Sequence, residues 1–286
     1  MAIYKRGYQR YRGPCTAHLT RLLAFPRFSW RRLMDQRLVV IVLMASLFWP
    51  LACGAFVYIS NHTELLQGLG GDLVSFLNIN GTFFLTFMGA QSFFAVLLAA
   101  LAGPGLVAPD LANNALPLYF SRPLSRLDYV LARLLVLAGL LALVTWIPGL
   151  LLFGMQVGMA GWNWFTANWT LGAAVAGGFM LWSLLLGLVA MASSAYVRWR
   201  IIAGALVLAF FFVLAGAAQL IKAVTGAEWA LALNPGEAML RIWSVMLGVE
   251  LKPGPGALEC AVSLGVTTLL LCWILERKLR PVEVVS

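Results

Sequence analysis

The side chains able to do chemistry are few in this sequence, and their spacing points away from catalysis. The two histidines, His18 and His62, lie in the N-terminal arm and in a polar connection. Neither can sit mid-bilayer, whereas a haem anchor needs histidine or another strong axial ligand beside its cofactor. No GxxxxGK[ST] phosphate loop occurs, so ATP binding and splitting by that route is not expected of this chain. Asp and Glu fall in connections or at the ends of apolar runs, as Asp128, Glu259 and Glu276 do. Neither a carboxylate pair nor a Ser/His/Asp set assembles inside. Cys15, Cys53, Cys260 and Cys272 have neither CxxC nor metal-ligand spacing, and read as small apolar filler. The apolar runs otherwise offer hydroxyls and amides such as Ser46, Thr86, Gln91, Ser92, Thr145 and Ser183, suited to helix–helix hydrogen bonds. An ion-coupled pump needs a charged residue at membrane depth. A chain without one has to take its driving energy from another polypeptide.

The elements that position these groups are expected to be membrane helices. Only 11% of residues are charged and 62% are hydrophobic, whereas soluble domains carry roughly 25% charged residues. The apolar runs lack the period-2 alternation of a lipid-facing barrel, so each segment must pair its backbone groups within itself as a helix. Six windows satisfy the spanning length of about 20 apolar residues. They are Leu38–Ile59, Thr82–Ala102, Leu127–Phe153, Leu171–Val197, Ile201–Ile221 and Ala257–Leu275. The first begins too late for the apolar core of a signal peptide, so the N-terminus is expected to be retained. Pro50 and Pro148 interrupt the first and third windows in different contexts, which argues against an inverted repeat. No low-complexity tract or soluble module interrupts the chain.

The net charge of +9 sorts by connection. Residues 1–37, the second-to-third connection with its helix entry (Arg122, Arg126, Arg133), Arg198, Arg200 and the C-terminal tail hold seventeen of the twenty Lys and Arg. The opposite connections hold Lys222, Arg241 and Lys252. Positive charge collects on the cytoplasmic side, so both termini are expected there. Topology and anionic lipid then account for the basic balance, and nucleic acid is not needed as a partner.

The expected organisation has three parts. Residues 1–37 form a cytoplasmic basic arm and elbow. Residues 38–276 form a six-helix transmembrane domain, with a cytoplasmic loop at about 104–126 and an external segment at about 222–256. Residues 277–286 form a cytoplasmic tail. The arm opens on Tyr4, Lys5, Arg6 and Tyr8, and Ala17–Met34 is amphipathic, with Leu19, Leu22, Leu23, Trp30 and Leu33 on one face among Arg21, Arg27, Arg31 and Arg32. Such a helix lies in the headgroup layer, with its aromatic rings at the interface; a solvated basic tail is the alternative. Outside, Gln156–Thr170 carries Trp162, Trp164 and Trp169 as an aromatic belt. Met239, Leu240, Trp243, Met246 and Leu247 form one helical face of a segment too short to span. That segment either rests in the outer leaflet or packs on the bundle. Asn61, Asn80 and Asn168 head Asn-x-Thr triplets, read as coincidence.

The loop before the third window is the best place for a soluble partner. Leu111–Phe120 has room for one to two turns along the membrane, with Asp110 placed to cap its start. Pro123 ends it, and Ser125 is placed to cap the next helix. A plain linker buried against its own bundle is the competing reading.

The run Ser121-Arg122-Pro123-Leu124-Ser125-Arg126-Leu127-Asp128-Tyr129, leading into a membrane helix, resembles the loop before the third helix of type-2 ABC transporter permeases. The Tyr4-Lys5-Arg6-Gly7-Tyr8 arm looks like the start of a bacterial subgroup of them. The layout of a cytoplasmic elbow and six spans extends the resemblance over nearly the whole chain. That family more often has Glu followed by Gly-Thr in the coupling segment, where this chain has Asp110 and Ala112-Asn113-Asn114. The resemblance implies a second permease protomer, identical or homologous, two ATP-binding cassette ATPase subunits, and a bacterial inner membrane. It also implies residue roles. Asp110, Leu111, Asn113 and Asn114 would orient the coupling segment, and Leu118 and Tyr119 would fill a groove on the ATPase. Tyr4, Arg6, Trp30, Arg31 and Arg32 would hold the elbow at the headgroups.

The expected function is therefore the membrane permease of an ATP-driven exporter. It would have no cofactor, and its ATPase activity would reside in a partner. The mostly apolar interior leans toward an amphiphilic substrate. A non-transporting anchor or assembly subunit of a larger membrane complex is the alternative.

Overall fold

The computed structural model describes residues 28–62, 78–113, 126–197, 199–250 and 253–278. No strand occurs among them. Residues 28–34 are helical and turn at Asp35–Gln36 into α1 (Arg37–Asn61). Then follow α2 (Gly81–Ala102), α3 (Pro104–Ala112), α4 (Arg126–Ala142), α5 (Trp146–Ala160), α6 (Trp162–Tyr196) and α7 (Arg200–Thr225). A 3-10 turn (Glu228–Leu233) leads to α8 (Pro235–Met246) and α9 (Ala257–Lys278).

Five stretches are long and apolar enough to cross a membrane: α1, α2 continued through α3 to Asp110, α6, α7 and α9. The pair α4–α5, bent by 41°, makes a sixth if it counts as one span. Five or six apolar helices of this length fit a multi-pass membrane protein. The bundle is built around α6, which packs on α2, α3, α4, α5, α7, α8 and α9. Its most apolar window is 72% buried, against 17% for α1 and 22% each for α7 and α9. Phe48 and Leu51 on α1, Ile201, Phe212 and Val224 on α7, and Leu258 and Leu269 on α9 face outward. A contiguous apolar surface of this kind belongs against lipid or another protein, not water.

Three departures from the expected layout have physical causes. The third window is broken at residues 143–145. Pro148 has no N–H to give the Val144 carbonyl, so the helix restarts at Trp146, with Thr145 Oγ1 donating back to the Leu141 carbonyl (2.7 Å). The Gln156–Thr170 connection is almost entirely helical, and only Gly161, at φ 87°, separates α5 from α6. That left-handed conformation suits a residue without a Cβ. The helix α6 therefore has 35 residues, roughly 52 Å at 1.5 Å per residue. Trp162 and Trp169 are exposed along its first turns. The third departure is α3, which continues α2 almost directly where the cytoplasmic loop was expected to open.

The short segment before the last helix packs on the bundle. Pro235 stands in the first turn of α8, and Asn234 Oδ1 accepts from the Gly236 N–H (3.1 Å). Met239, Trp243 and Leu247 are buried, and α8 contacts α2, α6 and α9. The Asn-x-Thr asparagines have local tasks. Asn80 caps α2, Asn61 Nδ2 reaches Gln156 Oε1 (2.7 Å), and Asn168 Nδ2 donates to the Trp164 carbonyl (3.0 Å).

Candidate functional site between the third and fourth helices

Asp110 lies in the last turn of α3, where the chain leaves the helix that began at Gly81. It stands inside a helix, whereas the sequence suggested it as the cap of one starting at Leu111. Its carboxylate instead turns toward α4. Tyr129 and Arg133 are four residues apart and so share one face of α4. Both reach the same oxygen: Tyr129 OH donates to Asp110 Oδ2 (2.8 Å), and Arg133 Nη2 donates to it at 2.5 Å. The guanidinium also lies over the Tyr129 ring, 5.4 Å from its centroid. Arg133 Nη1 donates to Ser29 Oγ (2.9 Å) in the helical stretch before α1. One arginine thus joins three segments.

This ion pair is largely out of water, with side-chain exposures of 9% for Arg133 and 15% for Asp110. A charge-assisted bond at such a site is strong, and either partner left alone is costly to bury. Arg133 was counted from the sequence as a loop charge at the helix entry. It is a buried residue two turns inside α4. The interior is therefore not wholly free of ionised groups.

A second contact fixes the stretch before α1. Trp30 Nε1 donates to the Val136 carbonyl (3.3 Å). Its ring covers Gly139, where a Cβ would lie 3.0 Å from the indole. Trp30 was expected at the headgroups; its half-buried ring packs on α4. Leu33 beside it is buried. Arg31 and Arg32 are exposed.

Of the remaining expected residues, Leu111 falls in the end of α3. Asn113 is exposed just beyond it, its N–H on the Pro109 carbonyl (3.0 Å). Asn114, Leu118, Tyr119, Tyr4 and Arg6 lie outside the described residues. Tyr129, Arg133 and Ser29 were not singled out as site residues. The usable signal was a charge at i+4 from a tyrosine inside an apolar helix, the type of residue that marks a site in membrane proteins.

The interior hydroxyls do less between helices than expected. Ser46, Thr86 and Ser92 donate to carbonyls three or four residues back in their own helix, and Thr145, in the break, donates back to Leu141 in α4. Gln91, fully buried, does cross, from α2 to α1. Among the described residues no three His, Cys, Asp or Glu side chains gather as for a metal. Compared with known proteins, the chain matches no family model and no curated sequence.

Proposed function

We propose that this chain is the membrane permease subunit of an ATP-binding cassette exporter. It would work as one of two protomers, identical or homologous, over two separate ATPase subunits. In this reading α4 and α5 together form the third of six spans, both termini are cytoplasmic, and the membrane is a bacterial inner membrane. Asp110 then stands at the cytoplasmic end of the second span, where the coupling segment begins.

The observation that carries the reading is the buried Arg133–Asp110 pair with its link to Ser29. A partner that pushes the segment after Asp110 cannot separate α3 from α4 without stranding a charge. The push therefore moves α3, α4 and the stretch before α1 as a body, the kind of rigid displacement by which switching proteins transmit a local event. The resemblance of the Ser121–Arg126 run to permease coupling loops supports the same assignment.

Co-purification from the native membrane tests it, an ATP-binding cassette ATPase being the expected companion. The two should purify as a complex, and Tyr119→Asp should abolish transport while leaving the permease folded. A chain that never retains an ATPase, or a Tyr119→Asp variant with intact transport, would reduce the protein to an anchor or assembly subunit. A cysteine at Asn113 that reacts with impermeant reagent from outside intact cells would overturn the topology.

A further inference from the structure

A cavity of about 520 Å³ lies between α1 and α2, a size that takes a drug-sized organic molecule. The two helices run antiparallel, in a register set by two contacts. Phe56 stacks on Phe83 with centroids 5.6 Å apart, and further along Gln91 reaches the Ser46 carbonyl. The cavity follows the groove from the first contact toward the second. Its floor is apolar and aromatic: Cys53 and Phe87 are buried there, with Trp49 beside them. Its other end is polar. Asn78, Asn80 and Thr82 line it where α2 begins, and all three are exposed. Asn80 is roughly 10 Å from Phe87 along the helix axis, at 1.5 Å per residue.

The lining specifies the occupant. No charged side chain is among the lining residues, so an ion would enter without a counter-charge, which is costly. Four aromatic rings favour another ring, which can stack on them or meet them edge-on. The polar groups left over are donors, and they stand toward the two ends. Trp49 Nε1 is buried without an acceptor. Asn80 Oδ1 accepts from the Phe83 N–H (3.2 Å), which leaves its amide hydrogens, and the Thr82 hydroxyl has no partner among the described residues. Thr86 adds nothing, because its hydroxyl donates to the Thr82 carbonyl (2.9 Å). A buried donor without an acceptor is unfavourable, and an occupant that brings an acceptor oxygen relieves it.

We infer that the α1–α2 cavity binds an uncharged aromatic compound carrying acceptor oxygens, with its ring system on Phe83 and Phe87 and one oxygen on the Trp49 N–H. The cavity lies at the opposite end of α2 from Asp110. Binding there needs no ATPase, so its test stands apart from the transport reading.

The test is equilibrium dialysis of the full chain in phosphatidylcholine nanodiscs, with three probes. A methoxycoumarin offers a flat ring and a lactone carbonyl, its carboxylate derivative adds a charge, and methoxynaphthalene keeps the rings without the carbonyl. The methoxycoumarin should bind saturably, one per chain, and the carboxylate derivative at least tenfold more weakly, since its charge meets no counter-ion. Trp49→Phe should weaken methoxycoumarin by about fivefold, the effect of one hydrogen bond, and leave methoxynaphthalene unchanged. A merely structural role for Trp49 would move both probes together. Ala52 lines the cavity and is exposed, so Ala52→Trp should fill the space and abolish binding of both. If Ala52→Trp does not fold, the contrast between the two probes on Trp49→Phe carries the test. Equal effects of Trp49→Phe on both probes would overturn the site. So would full binding in Ala52→Trp, or a carboxylate derivative that binds as well as its parent. Absent saturable binding, together with an Ala52→Cys crosslink between two copies, would give the groove to a second copy of the chain.

Discussion

Gln91 on α2 donates its amide to the Ser46 carbonyl of α1 at 3.0 Å, and Ser46 is four residues before Pro50. The two facts are linked. Proline has no N–H, so the Ser46 carbonyl has no helical partner four residues on. A buried side chain from the next helix supplies the missing donor, which is how a proline is tolerated inside an apolar helix. The pair is best tested as a cycle. Gln91→Leu should destabilise the wild type, while in a Pro50→Ala background, where residue 50 regains its N–H, the same change should cost less. The expected coupling is about 0.5–1.5 kcal/mol, read from denaturant unfolding in detergent. Equal costs in both backgrounds would show that the amide is not serving the proline's carbonyl.

The Asp110 cluster predicts unequal costs for its members. Asp110→Asn leaves Arg133 charged and buried without its counter-ion, which should cost about 3–5 kcal/mol. Tyr129→Phe removes one neutral donor from the same oxygen and should cost about 1 kcal/mol. The double change Asp110→Leu with Arg133→Met should be milder than Asp110→Asn alone, because no charge is stranded. Thermal unfolding of the purified variants gives the order. A double variant worse than Asp110→Asn would mean that the pair contributes more than its own neutralisation.

Trp30 is one attachment of the stretch before α1, and its seat is Gly139. Gly139→Val should push the ring away, since the first added carbon already lies 3.0 Å from it. The variant should open residues 28–34 to protease while leaving α4 helical, because valine is tolerated in an apolar helix. Trp30→Ala should give the same cleavage pattern. Protection unchanged in both variants would mean that Ser29 and Leu33 suffice to hold the segment.

That five or six apolar helices are long enough to span was legible because spanning length is a property of composition over about 20 residues. The break at residues 143–145 was half legible. Pro148 marked it, but whether proline kinks or splits a helix depends on which neighbour donates to the freed carbonyl. The amphipathic face of α8 was legible from the spacing of Met239, Trp243 and Leu247, whereas its burial depended on what α2, α6 and α9 offered it. Arg133 was misread because a charge near a helix entry looks alike whether it faces water or a carboxylate 23 residues away in sequence. The hydroxyls were misread for a related reason. A serine in a helix always has its own i−4 carbonyl within reach, and pairs across helices only where a stronger demand exists. At Ser46 the demand exists, and a glutamine meets it.

The attachment of α8 rests on one close approach. Trp243 is buried against α6 at Gly178, where a Cβ would lie 2.7 Å from Trp243 Cδ1 and 2.8 Å from Met88 Cε. Phe179 and Trp182 flank the ring edge-on, with centroids 5.6 and 6.0 Å away. The methionine end can swing aside, but the indole between two aromatic neighbours cannot. Gly178→Ala should therefore destabilise the protein by about 1–3 kcal/mol, the usual range for overpacking. In a Trp243→Leu background the same alanine should be nearly neutral, because the smaller side chain leaves room for it. Unfolding in detergent of the four proteins closes the cycle. Additive losses would show that the alanine clashes with Met88 or the α6 backbone, and that the indole of α8 is held by its flanking rings alone.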